Sequence, residues 1–234
     1  MSAKEQWSDR LKPLFGSEGM QRLQQATVLI FGCGGVGSYA IEALARSGVG
    51  RLIIVDGDVV APSNLNRQIV ALQSTLAQYK VEIMAARCKD IRSDIHVDSH
   101  AIYYDASTRE QFFNNQSIDF VFEAIDRLTW KVDIIKQCLS RGIPVLTSTG
   151  MGNRVSPEAL SITTLDKTQY DPLARYLREA LKIEAISLTN IPCVFSKEPP
   201  HKEPGVRVPA STMFVPAAAG LLAASYIVKT LLKV

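Results

Sequence analysis

TVLIFGCGGVGSYAIEALARSGVGRLIIVDGD, residues 27–58, is the stretch whose reading decides the fold. TVLIF (27–31) is a short apolar run that ends in GCGGVG, after which SYAIEALARSG (38–48) has helical spacing and stops on Gly48. A second apolar run, RLIIVD (51–56), follows at once. Strand, tight turn, helix and strand make a βαβ unit, whose two strands are expected to be parallel neighbours.

Downstream the pattern repeats. Residues 79–92 read as a helix, HVDSHAIYY (96–104) as a strand and STREQFFNN (107–115) as a short helix. IDFVFEAID (118–126) reads as a buried strand ending in an acid, followed by a helix over 128–141 and the strand PVLTS (144–148). This alternation predicts an α/β fold: a doubly wound, Rossmann-like, mostly parallel sheet with helices on both faces. A helical arm (1–26) is expected before the core (27–150), and C-terminal substrate-binding additions (151–234) after it. Past Thr149 the rhythm changes: GMGNRVSPEALSITTL (150–165) reads as turns and a strand, KTQYDPLARYLREALK (167–182) as a helix and 190–211 as a proline-rich stretch. That stretch is poor in large apolar groups and is expected to be a mobile loop. Residues 213–232 are long enough for a membrane span, but Pro216, Ser225 and Lys229 interrupt them. The expectation is a buried C-terminal helix with Pro216 in its first turn, and no stable span.

Composition excludes little. A chain of 234 residues, 47% of them apolar, can bury a substantial core. A net charge of +3 does not announce a nucleic-acid binder. Cys33, Cys88, Cys138 and Cys193 form no CxxC pair, so neither a zinc ribbon nor a disulfide framework is written in their spacing, and a reducing cytoplasm is the natural reading. The charged start, MSAKEQWSDRLK, lacks the apolar stretch of a secretory signal.

The chemistry is concentrated at the ends of the predicted strands. Gly32, Gly34, Gly35 and Gly37 let the backbone turn tightly and let phosphate approach amide groups at a helix N-terminus. Asp56, at the end of the second strand, stands where a Rossmann-type acid accepts hydrogen bonds from ribose hydroxyls. To this point NAD and ATP fit equally. They part in DGDVVAPSNLNRQ (56–68), where Asp58, Ser63, Asn64, Asn66, Arg67 and Gln68 form a polar, cationic cluster. A dehydrogenase has no need of it, whereas a triphosphate requires its charge balanced by arginine or lysine and amide donors. Lys80 opens the next helix, unfavourably for the helix dipole, and so is better placed beside an anionic ligand; a solvated surface lysine is the alternative. Asp126 falls at the carboxyl edge of the sheet, where a carboxylate beside phosphates suggests magnesium, or else caps the following helix.

Together GCGGVG, the DxDxV…SNLNRQ stretch, Lys80 and the AID at 124–126 resemble the ThiF, MoeB and ubiquitin-activating-enzyme superfamily. The resemblance implies ATP and Mg2+ at the site, with Gly32, Gly34, Gly35, Gly37, Asp56, Asp58, Asn64, Arg67, Gln68 and Lys80 binding ATP. It also implies catalytic roles for Arg10, Arg67 and Asp126, with Asp126 holding the metal. Arg10, in WSDRLKPLFG, matches an arginine that completes the ATP site of a partner subunit, which implies a homodimer. EALARSGVGRLIIVD, NRQIVAL, KTQYDPLARYLREALK, VFS after Cys193 and FVPAAAGLLAASYIVKTLL resemble the tRNA threonylcarbamoyladenosine dehydratases within that superfamily. These use ATP to adenylate a carboxylate on the adenosine next to the tRNA anticodon and then close a ring, releasing AMP and pyrophosphate. The alternatives are adenylation of a ubiquitin-like sulfur carrier and a non-catalytic nucleotide-binding scaffold. A cysteine-desulfurase-system or sulfur-carrier partner belongs with the first, and there Cys193 would be the thioester or sulfur-transfer residue. Its neighbours Ile191 and Pro192 are not polar, so its role stays open. The tRNA surface is not legible: residues 166–210 hold seven Lys or Arg against six Asp or Glu, and Arg175, Arg178 and Lys182 form either a basic stripe or a solvated helix face.

Overall fold

A kinked helix, α1 (Lys12–Gln25), leads into β1 (Thr27–Phe31), α2 (Gly37–Ser47) and β2 (Arg51–Val55). The computed structural model describes residues 5–114, 117–201, 205 and 208–234. β1 and β2 run parallel, Thr27 opposite Arg51 and Phe31 opposite Val55, as the glycine-bounded stretch predicts. Then come α3 (Lys80–Ile91), β3 (His96–His100), α4 (Arg109–Phe113), β4 (Phe120–Glu123), α5 (Leu128–Ser140) and β5 (Val145–Ser148). The chain closes with β6 (Leu160–Thr164), α6 (Pro172–Ile183), β7 (Pro192–Ser196) and α7 (Phe214–Leu232).

The seven strands form one sheet in the order β3-β2-β1-β4-β5-β7-β6, parallel except for β6. β1 is buried throughout because both faces of the sheet are covered. Val28 and Ile30 enter one core with α2, α3 and α7, while Leu29 and Phe31 enter another with α4 and α5. A third cluster packs α6 against α5 and β7. α7 is long and apolar enough to cross a membrane by length and composition, yet 56% of its apolar window is buried. It lies so close to α2 that a β-carbon on Gly220 would stand 2.4 Å from the Val36 carbonyl oxygen. Pro216 is in its first turn, as expected.

Several expected boundaries move, each for a local reason. The 96–104 strand stops at His100, and Ile102, Tyr103 and Tyr104 leave the sheet to wall a cleft. The 107–115 helix is reduced to Arg109–Phe113, with Asn115 outside the described residues. The 167–182 helix starts only at Pro172, which lacks an N–H and fits the first turn, with the Asp171 carboxylate accepting from the Ala174 N–H at 3.0 Å. The largest correction concerns the loop expected over 190–211: Pro192–Ser196 is β7, inserted between β5 and β6. Residues 202–204 and 206–207 of that stretch lie outside the described residues.

Candidate active site

The strand order reverses between β1 and β4, the place where ligands of open α/β sheets bind. A cleft of about 490 Å³ opens there at the carboxyl edge. Gly32, Gly34, Gly35, Asp56, Asp58, Asn64, Arg67, Gln68, Lys80 and Asp126 all line it. Gly37 does not. A β-carbon on Gly37 would lie 1.8 Å from the Gly32 carbonyl oxygen, so its bare α-carbon lets the turn close.

Asp56 is locked at the end of β2. One carboxylate oxygen accepts the Cys33 N–H at 2.6 Å and the other the Asp58 N–H at 2.8 Å. Burial pushes its carboxyl above the usual range, against the pull of those hydrogen bonds and of Lys80. Lys80 is only 4% exposed, which removes the surface-lysine alternative. Its Nζ lies 2.7 Å from Asp58 Oδ2, and the Tyr103 hydroxyl donates to Asp58 Oδ1 at 2.8 Å. Burial raises the Asp58 carboxyl, but the hydrogen bonds from Lys80 and Tyr103 and the Lys80 charge outweigh it and hold the carboxyl below its usual value.

The next wall is a compact polar turn. Asn64 Oδ1 accepts the Ala61 N–H at 3.0 Å, and Arg67 Nη1 donates to the Ser63 carbonyl at 2.8 Å and to Asn66 Oδ1 at 3.0 Å. Asn66 in turn donates to the Ser211 carbonyl at 2.8 Å, tying this turn to the segment before α7. Gln68 Oε1, in the cleft wall, is buried without a hydrogen-bond partner among the described residues and is placed to accept from a ligand donor.

Opposite, Asp126 does not end the strand as expected. It stands three residues past β4 on the loop to α5, exposed to the cleft. The capping alternative is not seen, since Arg127 occupies the N-cap position and no side chain caps α5. This loop rests on a pair that sequence reasoning missed. Lys131 Nζ lies 2.6 Å from Glu123 Oε2, and both side chains are fully buried. Lys131 also donates to the Ile125 and Ser148 carbonyls at 2.9 and 2.8 Å, while Glu123 accepts the Ile125 N–H at 2.8 Å and the Thr147 hydroxyl at 2.5 Å. The pair thus pins the carboxyl ends of β4 and β5 to each other. The signals were an acid inside the apolar run FVFEA and a lysine at 131 on a helix face that also buries Ile134, Ile135 and Cys138.

Aromatic groups close the Asp126 side: the Tyr103 and Trp130 ring centroids are 5.9 Å apart, and Arg127 sits 4.4 Å over Trp130. The remaining wall, Ser148–Gly152, is organised by buried Arg154, another residue missed from sequence. It donates to the carbonyls of Gly150, of Gly152 at 3.3 Å, of Tyr170 at 3.2 Å and of Glu198 at 3.0 Å.

Besides Gly37, two expected residues are not gathered here. Arg10 is exposed and outside the cleft of its own chain. Cys193 sits in β7, buried and absent from the cleft wall, and burial pushes its thiol up to about 12. A thiol so placed forms almost no thiolate near neutral pH, which argues against a thioester or sulfur-transfer role.

What the cleft can do follows from its wall: amides, Arg67 and Lys80 for phosphate oxygens, a fixed acid for a ribose and an available carboxylate for a cation. The model of the ThiF family matches residues 8–234. The chain is 41% identical to the tRNA threonylcarbamoyladenosine dehydratase of Bacillus subtilis (strain 168), an alignment covering 93% of this chain and 91% of that protein. Two crystal structures of the Escherichia coli tRNA N6-threonylcarbamoyladenosine dehydratase are similar at 32% identity. The complex with ATP superposes with a TM-score of 0.90 over 100% of this chain and 98% of that one. The complex with AMP gives 0.89 over 98% of each.

Proposed function

The chain belongs to the ThiF family, and from that premise we propose that it is an ATP-dependent tRNA threonylcarbamoyladenosine dehydratase that adenylates its substrate in the carboxyl-edge cleft. The observation that carries the reading is the meeting of Gly32, Gly35, Asp56, Arg67, Gln68, Lys80 and Asp126 around one cleft, although they come from three separate connections of the sheet.

A carboxylate is a poor electrophile because its leaving group would be oxide. Attack of the substrate carboxylate on the α-phosphorus of ATP expels pyrophosphate and leaves an acyl-adenylate. The neighbouring carbamoyl group then attacks the acyl carbon, AMP departs and a ring closes. The second step is intramolecular, with an effective molarity on the order of 10⁵ M or more when well aligned, so the protein needs chiefly to orient the adenylate and exclude water. No cysteine nucleophile is required, which agrees with the burial of all four thiols.

In this reading Asp56 and the glycine turn hold the adenosine, and Arg67, Lys80, Asn64 and Gln68 hold the phosphates. Asp126 offers one anionic oxygen, and among the described residues no cluster of three or more His, Cys, Asp or Glu is gathered. Magnesium held by Asp126, phosphate oxygens and water fits that donor set and would neutralise charge on the phosphates. Exposed Arg10, outside its own cleft, is free to complete the site of a second copy in a homodimer. Four unpaired thiols suit a reducing cytoplasm. A cysteine-desulfurase or sulfur-carrier partner would have to dock without passing sulfur to a thiol of this chain.

The test offers the purified protein ATP with threonylcarbamoyladenosine-bearing tRNA, or with a carrier protein ending in Gly-Gly, and measures AMP. Release with the tRNA alone is expected, and release with the carrier alone refutes the reading. Asp126→Ala is expected to shift the magnesium dependence of ATP binding, read by fluorescence of Trp130 in the cleft wall. An unchanged titration would remove Asp126 from the metal site.

A further inference from the structure

We infer that Tyr170, Arg175 and Tyr176, at the start of α6, form a dock for unstacked bases of the RNA substrate and hold the anticodon loop beside the reactive cleft. The inference rests on the dehydratase reading. Its first support is a second open cleft of about 470 Å³, whose wall includes these three residues together with Arg178. The two tyrosines, one just before α6 and one in it, are 60% and 48% exposed, large rings where lysine and glutamate would serve a merely solvated surface. Arg175 lies 4.8 Å over the Tyr176 ring, so a cationic group and an aromatic group already sit side by side on this surface. Proteins read single-stranded RNA loops by stacking splayed bases on aromatic rings and guanidinium planes.

Charge points the same way. Asp171, at the floor, is buried, caps α6 and lies 3.8 Å from Arg154, so its charge is balanced within the fold. Neither Arg175 nor Arg178 has an ion-pair partner among the described residues. Arg178 donates to the Thr168 carbonyl at 3.1 Å and keeps its net charge for a phosphate. Of the acids in the same stretch, Asp171 caps α6, Glu184 pairs with Lys136 at 2.7 Å, and Glu198 accepts from the Val155 and Ser156 N–H groups.

Position supplies the third support. The two clefts share a wall: Leu173 lines the nucleotide cleft, while Asp171 and Pro172 line the second. The Asp171 carboxylate lies 3.3 Å from where a β-carbon on Gly150 would stand, and Gly150 lines the nucleotide cleft. A nucleotide reaching into the first cleft therefore has its flanking bases at the second.

The test measures binding of a threonylcarbamoyladenosine-bearing anticodon stem-loop RNA to the full chain by fluorescence anisotropy, beside AMP release with the same RNA and ATP. Tyr176→Ala is expected to weaken RNA binding about tenfold or more and to raise the KM for RNA, with the KM for ATP and kcat unchanged. Tyr176→Phe keeps the ring and is expected to stay within about twofold of wild type. Arg175→Ala is expected to flatten the log–log salt dependence of binding by about 0.7. If the wild type releases AMP with this RNA while Tyr176→Ala and Arg175→Ala bind it as tightly as wild type, the dock is refuted and the activity stands. If the wild type neither binds the RNA nor releases AMP with it, both fall together.

Discussion

Lys80 and Lys131 are both buried and both bonded to a carboxylate, yet Lys80 lines the cleft while Lys131 lies sealed beneath the loop that carries Asp126. The Lys80 partner, Asp58, keeps 48% of its side chain exposed and faces the cleft together with the lysine. The Lys131 partner, Glu123, is sealed, and the remaining polar atoms of that pair are spent on Ile125, Thr147 and Ser148. An ion pair that retains access to solvent is available to a ligand. One whose every valence is satisfied internally is a fastener for two strand ends. Burial of a charged group therefore does not by itself mark a functional residue; the destination of its remaining hydrogen bonds does.

The comparison breaks most visibly on stability. Lys131→Met strands the Glu123 charge in a sealed site and is expected to cost about 3–5 kcal/mol by urea unfolding, whereas Glu123→Gln combined with Lys131→Met should recover part of that loss. A single variant as stable as wild type would mean that water already reaches the pair. Lys80→Ala is expected to reverse the profile. Asp58 can rehydrate, so the fold should lose no more than about 1 kcal/mol, while AMP-forming turnover falls roughly 10²- to 10³-fold. Equal losses in both measurements would make Lys80 a second fastener.

The smallest effect is in the pH dependence. The Asp58 carboxyl is held below its unfolded value, so its contribution is fully present above that value and is lost as pH falls through the folded one. Asp56 has the opposite sign: burial raises it, folding favours its protonated form, and its contribution is lost as pH rises through the carboxylate range. Thermal unfolding followed from neutral pH downward should therefore show a shallower acid fall for Asp58→Asn and a steeper one for Asp56→Asn. The same slope in both would remove the sign difference.

What the sequence revealed of this fold and what it hid follow the same division. The nucleotide half lies in one continuous stretch, where each residue from Gly32 to Lys80 has a local signature: a glycine turn, an acid at a strand end, a polar cluster, a lysine at a helix start. The opposite half is assembled from pieces far apart in the chain. Glu123 and Lys131 look like isolated polar residues in apolar runs until β4, α5 and β5 pack together. Arg154 acquires meaning only when Gly150, Tyr170 and Glu198 converge on it. β7 falls in a proline-rich stretch poor in large apolar groups, which reads as loop, while its strand character comes from β5 and β6 on either side. The neighbours of Cys193 leave its role open, and only its place in β7, between β5 and β6, shows that the thiol is buried away from the cleft.

The proposed reaction turns a carboxylate on tRNA into an adenylate that cyclises in this cleft. Mass spectrometry of nucleosides from threonylcarbamoyladenosine-bearing tRNA, after incubation with ATP and the wild-type or Arg67→Ala protein, tests it most directly. The expected result is a modified nucleoside lighter by one water with the wild type, one AMP released per nucleoside converted, and a loss of conversion with Arg67→Ala. An unchanged nucleoside mass with the wild type, or undiminished conversion by Arg67→Ala, would contradict it.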